Sequence, residues 1–290
     1  MKNRSFFLTM LTYIIWGLLP LYWKLLSHVP AVLTLCCRII FSLVFAGAII
    51  IICRRMGEFK ALIKDRHTMV KMVLASLLIT ANWGTYIYAV ASGHTLDASL
   101  GYYMNPLVVF AASIVIFKEK TSLLQIVSIC VAASGVIITL LIFGTVPVTA
   151  LIMAFSFAAY GSVKKFAHVD PLLSIAVETL IVSPVALIVA TAMFGDALSA
   201  LTLRDGLLLM LAGPVTAVPM ILYSVGVNDL DFKTVGILQY ISPSLMLLIG
   251  LLSGEALSLE KLIPFIAVIV ALVIYSIGLL RKKPAQTKAE

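Results

Sequence analysis

Ten apolar runs follow one another along this 290-residue chain, and no segment between them is long enough to form a domain of its own. They lie at 6–26, 32–53, 69–91, 97–117, 122–143, 147–163, 172–194, 207–227, 233–252 and 261–280. About 17–25 apolar residues let a helix cross the hydrocarbon of a bilayer, where a lone helix satisfies every backbone polar group internally. The pattern therefore predicts an all-α, polytopic membrane protein of ten transmembrane helices. Composition agrees. The chain is 62% hydrophobic and 12% charged, against about half and about a quarter in soluble domains. Its first partner is the lipid bilayer.

The net charge of +8 is unevenly placed. Lys2 and Arg4 precede the first run, and Arg54, Arg55, Lys60, Lys64 and Arg66 follow the second. Lys118 and Lys120 follow the fourth, Lys164 and Lys165 the sixth, Lys233 the eighth, and Arg281, Lys282, Lys283 and Lys288 form the tail. The alternate loops hold only Arg204 and Lys261. Basic residues stay on the cytoplasmic side, so both termini are expected there, as an even number of spans requires. This asymmetry accounts for the charge without a nucleic-acid partner. The opening MKNRSFFLTML lacks a small-residue cleavage site and reads as a retained first helix.

One stretch occurs twice. Ser99–Lys120 carries Tyr103, Asn105 and Pro106 and reaches Glu119; Gly236–Glu255 carries Tyr240, Ser242 and Pro243 and closes on Glu255. The offset that aligns them also pairs Tyr86 with Tyr223 and Val90 with Val227, and Thr12–Gly17 corresponds to Phe155–Gly161. The expected units are residues 1–145 and 146–290, five spans each. An odd number of spans makes the second unit enter from the opposite side, the construction of a secondary transporter with its substrate site near the midplane.

WGLLPLYWKLL (16–26), CCRIIFS (36–42), ANWGTYIYAV (81–90), LDASLGYYMNPL (96–107) and VGILQYISPS (235–244) together resemble RarD-type permeases of the EamA branch of the drug/metabolite transporter superfamily. The resemblance spans nearly the whole chain. It departs at Cys36-Cys37, where a small or polar pair such as Ala-His is expected before Arg38. It implies a bacterial inner-membrane permease that moves a small molecule, by export, in the manner of chloramphenicol permeases. It also inclines Asn82, Tyr86, Asn105, Gln239 and Tyr240 toward lining a substrate cavity.

Read from the residues alone, those side chains have two uses: interhelical hydrogen bonds or a polar cavity wall. Tyr103 belongs with them, and Trp16, deep in the first run, is placed to stack against an apolar or aromatic substrate. Trp23, Trp83 and Tyr22, nearer span ends, fit interfacial anchoring. Arg38 and Glu178 are ionisable at membrane depth, at a cost of roughly 2.5–3.5 kcal/mol each on insertion scales. Arg38, with Lys24 across the loop, reads either as an anion site or as a snorkelling cation. Glu178 reads either as a substrate contact or as a tie to Lys164 or Lys165, and as the one carboxylate at depth it leaves proton coupling open. Pro106 and Pro243 each free a carbonyl one turn back and are candidate gating kinks.

No phosphate-binding loop, H-E-x-x-H motif or intramembrane Asp pair occurs, so neither hydrolysis-driven transport nor an enzyme is expected. No catalytic residue, metal or cofactor is expected. Cys36, Cys37, Cys53 and Cys130 have no metal-type spacing and are expected to be buried thiols. A receptor or scaffold remains the rival class, weakened by the absence of a sizeable extramembrane surface for a partner.

Overall fold

The computed structural model describes residues 2–91, 95–143, 148–252 and 259–280. These form twelve helices and, among the described residues, no strand. In order they are α1 (Lys2–Lys24), α2 (Ala31–Ile52), α3 (Met56–Lys64), α4 (Arg66–Ala91), α5 (Thr95–Val115), α6 (Leu123–Phe143), α7 (Val148–Ala167), α8 (Pro171–Ser199), α9 (Leu203–Asp229), α10 (Phe232–Leu238), α11 (Ile241–Leu252) and α12 (Leu259–Leu280). Seven spans are long and apolar enough to cross a membrane by length and composition, α10 and α11 counting together as one. Leu100–Val115 and Leu262–Gly278 are shorter apolar stretches. Large apolar side chains such as Ile52, Leu123, Leu141 and Leu203 are exposed around the bundle. A soluble monomer rarely exposes such patches; lipid covers them at no cost. The chain is an all-α, polytopic membrane protein.

Two local features depart from the expected pattern. α3 is a nine-residue helix that follows α2. Its Met56, Phe59 and Leu62 pack on the core, while Lys60 and Lys64 are exposed. The run 233–252 is also broken, into α10 and α11. Pro243 has no N–H to offer the Gln239 carbonyl, which instead accepts from Ser242 N at 3.2 Å. Ser242 Oγ in turn donates to the Tyr13 carbonyl of α1 at 2.7 Å, fastening the break to its neighbour. α5, by contrast, runs unbroken through Pro106.

Packing is mostly between the two halves. α6 packs on α12, α2 on α8 and α9, α4 on α7 and α8, α5 on α7 and α10, and α1 on α9 and α11. Exchange α1, α2, α4, α5 and α6 with α7, α8, α9, α10–α11 and α12, and this set of pairings maps onto itself. Small residues allow the close crossings. A Cβ on Gly17 would sit 2.8 Å from Leu245 Cβ, and one on Gly213 would collide with the backbone of Phe41.

The basic loops meet on one face. Arg55 pairs with Asp170 at 3.0 Å, tying the start of α3 to the start of α8. Lys71 donates to the Phe166 carbonyl at 3.3 Å. Phe117 lies against Phe166 and Phe232, with ring centroids 4.9 and 5.2 Å away. Glu119 accepts from the backbone N–H groups of Phe232 and Lys233 at 2.5 and 3.1 Å, filling orphan donors at the start of α10. Lys233 donates to the Lys120 carbonyl, and Lys165 to those of Leu230 and Val227 at 2.6 and 3.2 Å, at the C-terminal end of α9. Ser5 reaches Asp229 at 2.5 Å. These contacts close that end of the bundle. At the other end the described residues include ties from His28 to Asp205 at 2.9 Å and from Tyr22 to the Leu208 carbonyl.

Candidate substrate cavity

Between α1, α2, α4, α5, α7 and the α10–α11 break lies a cavity of about 350 Å³. Its lining includes Ser27 and Ala31 of the α1–α2 loop region, both exposed, so it opens on the face opposite the basic one. Its floor is aromatic. Trp16 contacts Tyr13, Phe157 and Tyr223 with centroids 5.5, 5.9 and 5.6 Å away. Tyr160 and Tyr223 stack beneath them, 6.0 Å apart and 11° from parallel.

Of the residues expected at a site, Trp16, Arg38, Asn82, Tyr86, Asn105, Gln239 and Pro243 line this cavity. Tyr103, Tyr240, Glu178 and Pro106 are not among its lining residues. Tyr103 and Tyr240 are buried together against Phe110, Val268 and Tyr275, on the side facing α6 and α12. Helical periodicity is the reason for Tyr103: Gly101, Tyr102 and Asn105 share the cavity face, and the intervening Tyr103 and Met104 point away.

Glu178 sits in a sealed network. Lys164 Nζ pairs with its Oε1 at 2.5 Å, and both side chains are 3% exposed. Ser174 Oγ donates to Oε1 at 2.7 Å, and Tyr160 OH to Oε2 at 2.9 Å. Lys164 also donates to Ser174 Oγ at 2.8 Å. This is the tie to the preceding helix that one reading of Glu178 required. The network adjoins the cavity through Tyr160 and the aromatic floor, and Glu178 also shares a small void with Trp83 of the cavity wall.

Arg38 is held differently. Its guanidinium lies over the rings of Trp23 and Trp83, 5.2 and 4.4 Å from their centroids. Nε donates to Thr216 Oγ1 at 3.1 Å. Among the described residues no carboxylate forms an ion pair with it. Lys24 is exposed and absent from the lining, so it adds no second charge here. Asn82 spends its amide on the α7 backbone, donating to the Met153 carbonyl at 2.8 Å and to Ser156 Oγ at 3.1 Å. Asn105 Oδ1 and Gln239 Oε1 are buried with no hydrogen-bond partner among the described residues, as are Thr34 Oγ1 and Tyr13 OH. All four residues line the cavity.

Trp23, Trp83, Tyr13, Tyr102, Met153 and Met220 also line it without having been expected to. The interfacial reading of Trp23 and Trp83 gives way to their contact with Arg38. All three tryptophans of the chain thus face the same space. Cys36 and Cys37 are buried as expected, whereas Cys53 and Cys130 are exposed free thiols.

Helices with apolar outer faces around a mainly apolar cavity, open at one end, have the form of a multi-pass membrane transporter. Residues 3–141 match the EamA-like transporter family. The chain is 40% identical over 285 residues to the uncharacterized transporter YojE of Bacillus subtilis, covering 96% of this chain and 95% of that one. It is 36% identical over 277 residues to protein RarD of Escherichia coli, covering 94% of each. The chain belongs to the EamA-like transporter family, as a RarD-type permease. One solved crystal structure shares the fold, with a TM-score of 0.76 at 16% identity over 98% of this chain and 100% of that one.

Proposed function

We propose that the chain is a secondary transporter that carries small amphipathic molecules across the bacterial inner membrane through this cavity. Two five-helix repeats of opposite topology, 1–145 and 146–290, alternate access, with ten spans and both termini in the cytoplasm. Export is the direction the family resemblance implies.

The observation that carries the reading is the opposite state of repeat-related residues. Tyr86 lines the open cavity, while its counterpart Tyr223 is fully buried. Trp16 lines it as well, while its counterpart Tyr160 is fully buried. One pseudo-symmetric half-channel is open and the other is packed shut, as expected of one end state of a rocking carrier. The exchange symmetry of the helix pairings supplies the second arrangement without new contacts having to be invented. With the basic face in the cytoplasm, this state faces outward.

Single cysteines at positions 86 and 223, on a background without native cysteines, test the reading in proteoliposomes. Position 86 reacts with an impermeant maleimide at the face opposite the basic one. Position 223 gains reactivity only from the basic face, and only as position 86 loses it when the carrier is driven into its other state. A residue 223 that stays inert under every condition in which the protein moves a compound overturns alternating access.

A further inference from the structure

Resting on that transport reading, the geometry points to the class of molecule carried: we infer that the cavity takes a small, flat organic acid with a single negative charge and a separate hydrogen-bond donor.

Three observations converge. First, among the described residues Arg38 is the only formal charge lining the cavity, with no described Asp, Glu, Lys or His beside it. Lys164 and Glu178 cancel each other below the floor. A bound monoanion neutralises the site. A neutral ligand leaves the half-buried cation without a counter-charge, and a zwitterion brings an ammonium for which no described carboxylate waits. Second, the guanidinium is pre-positioned. The rings of Trp23 and Trp83 fix it, and Thr216 takes Nε. Its two Nη groups make no hydrogen bond to any described residue and form the end-on fork that fits a carboxylate with two parallel bonds. Third, Asn105 Oδ1 and Gln239 Oε1 are buried acceptors with no donor among the described residues. Unpaired buried acceptors select a ligand that brings an O–H or N–H, and they discriminate against an analogue that lacks it. The aromatic lining favours a planar body between these two ends.

Because all three tryptophans line the cavity, intrinsic fluorescence of the purified protein reports its occupancy. The probes are 4-hydroxybenzoate and 4-hydroxyphenylacetate, each compared with its uncharged amide and with the acid lacking the hydroxyl. The acids quench saturably at neutral pH. Each amide binds weaker by roughly 30-fold or more, the loss expected when a buried charge keeps no partner. The acid lacking the hydroxyl is also weaker. Arg38→Gln abolishes the preference for acid over amide, and Arg38→Lys weakens acid binding roughly tenfold because the fork is gone. Thermal unfolding of both variants is followed in parallel. The acid–amide contrast in the wild-type protein needs no variant and stands if either misfolds. Amides that bind as tightly as acids, or neither acid quenching, overturn the inference. Saturable acid binding without acid flux in proteoliposomes overturns the transport reading and leaves the acid site standing. Flux confined to uncharged compounds does the reverse.

Discussion

Removing the Glu178 carboxylate is the sharpest perturbation of the buried framework. In Glu178→Ala, Lys164 keeps Ser174 as a hydrogen-bond partner but loses its only counter-charge, at 3% exposure. Tyr160 and Ser174 lose their acceptor at the same time. Breaking a buried ion pair from one side costs about 3–5 kcal/mol, because the remaining charge is stranded. For a chain of this size that corresponds to a fall in Tm on the order of 10 °C. The double change Lys164→Met with Glu178→Leu removes both charges and keeps the volume, while Tyr160 and Ser174 still lose their acceptor, so its Tm should lie several degrees above that of Glu178→Ala and below wild type. Tryptophan fluorescence during thermal unfolding in detergent measures all three proteins. A Glu178→Ala protein as stable as wild type would refute the account of the network. So would a double variant no better than the single one. A single variant of normal stability that fails to transport would return Glu178 to the substrate path.

Topology follows from the basic face: with native cysteines removed, a cysteine at Lys60 reacts only with cytoplasmic reagent and one at Ser27 only with external reagent. Labelling of both from the same side contradicts the orientation and the odd-numbered repeats. The matched prolines should behave unequally. Pro243→Ala restores a donor for the Gln239 carbonyl and straightens the α10–α11 break, so efflux slows while the protein inserts normally. Pro106→Ala lies in a helix that is already continuous and should change efflux little and raise Tm slightly; equal slowing by both would show that the break is not what matters.

The helices were legible because lipid leaves the backbone so little choice: a run such as 172–194 has no alternative to a helix. The break at Gln239–Tyr240 was not. Pro106 and Pro243 carry the same local penalty, yet only the second interrupts its helix, where Ser242 bonds to α1 and Gly17 lets α1 approach. α3 escaped notice because nine residues cannot span a bilayer, although its Met56, Phe59 and Leu62 spacing marks one apolar face. Much of the cavity wall was readable from polar residues at depth: Arg38, Asn82, Asn105 and Gln239 all face it. Tyr103 could have been excluded by counting helical positions from Asn105. Trp23 and Trp83 could not have been placed, since tryptophan near a span end usually anchors at the interface, and only tertiary packing sets both rings on Arg38. Lys24, close to Arg38 in the chain, faces solvent instead, so charges near in sequence were a poor guide to charges near in space.

The central claim is that small molecules cross through this one cavity, and plugging it after folding tests that claim most directly. Thr34, on the wall between the mouth and Arg38, is changed to cysteine with the four native cysteines removed, and the protein is reconstituted. Vesicles are loaded with a defined mixture of aromatic acids, their amides and other small metabolites, and efflux is followed by mass spectrometry before and after a bulky maleimide is attached at position 34. The account predicts that at least one compound leaves through the unlabelled protein and that its efflux falls to the protein-free rate once the label is in place. The same compounds leaving at the same rate from fully labelled vesicles would contradict it.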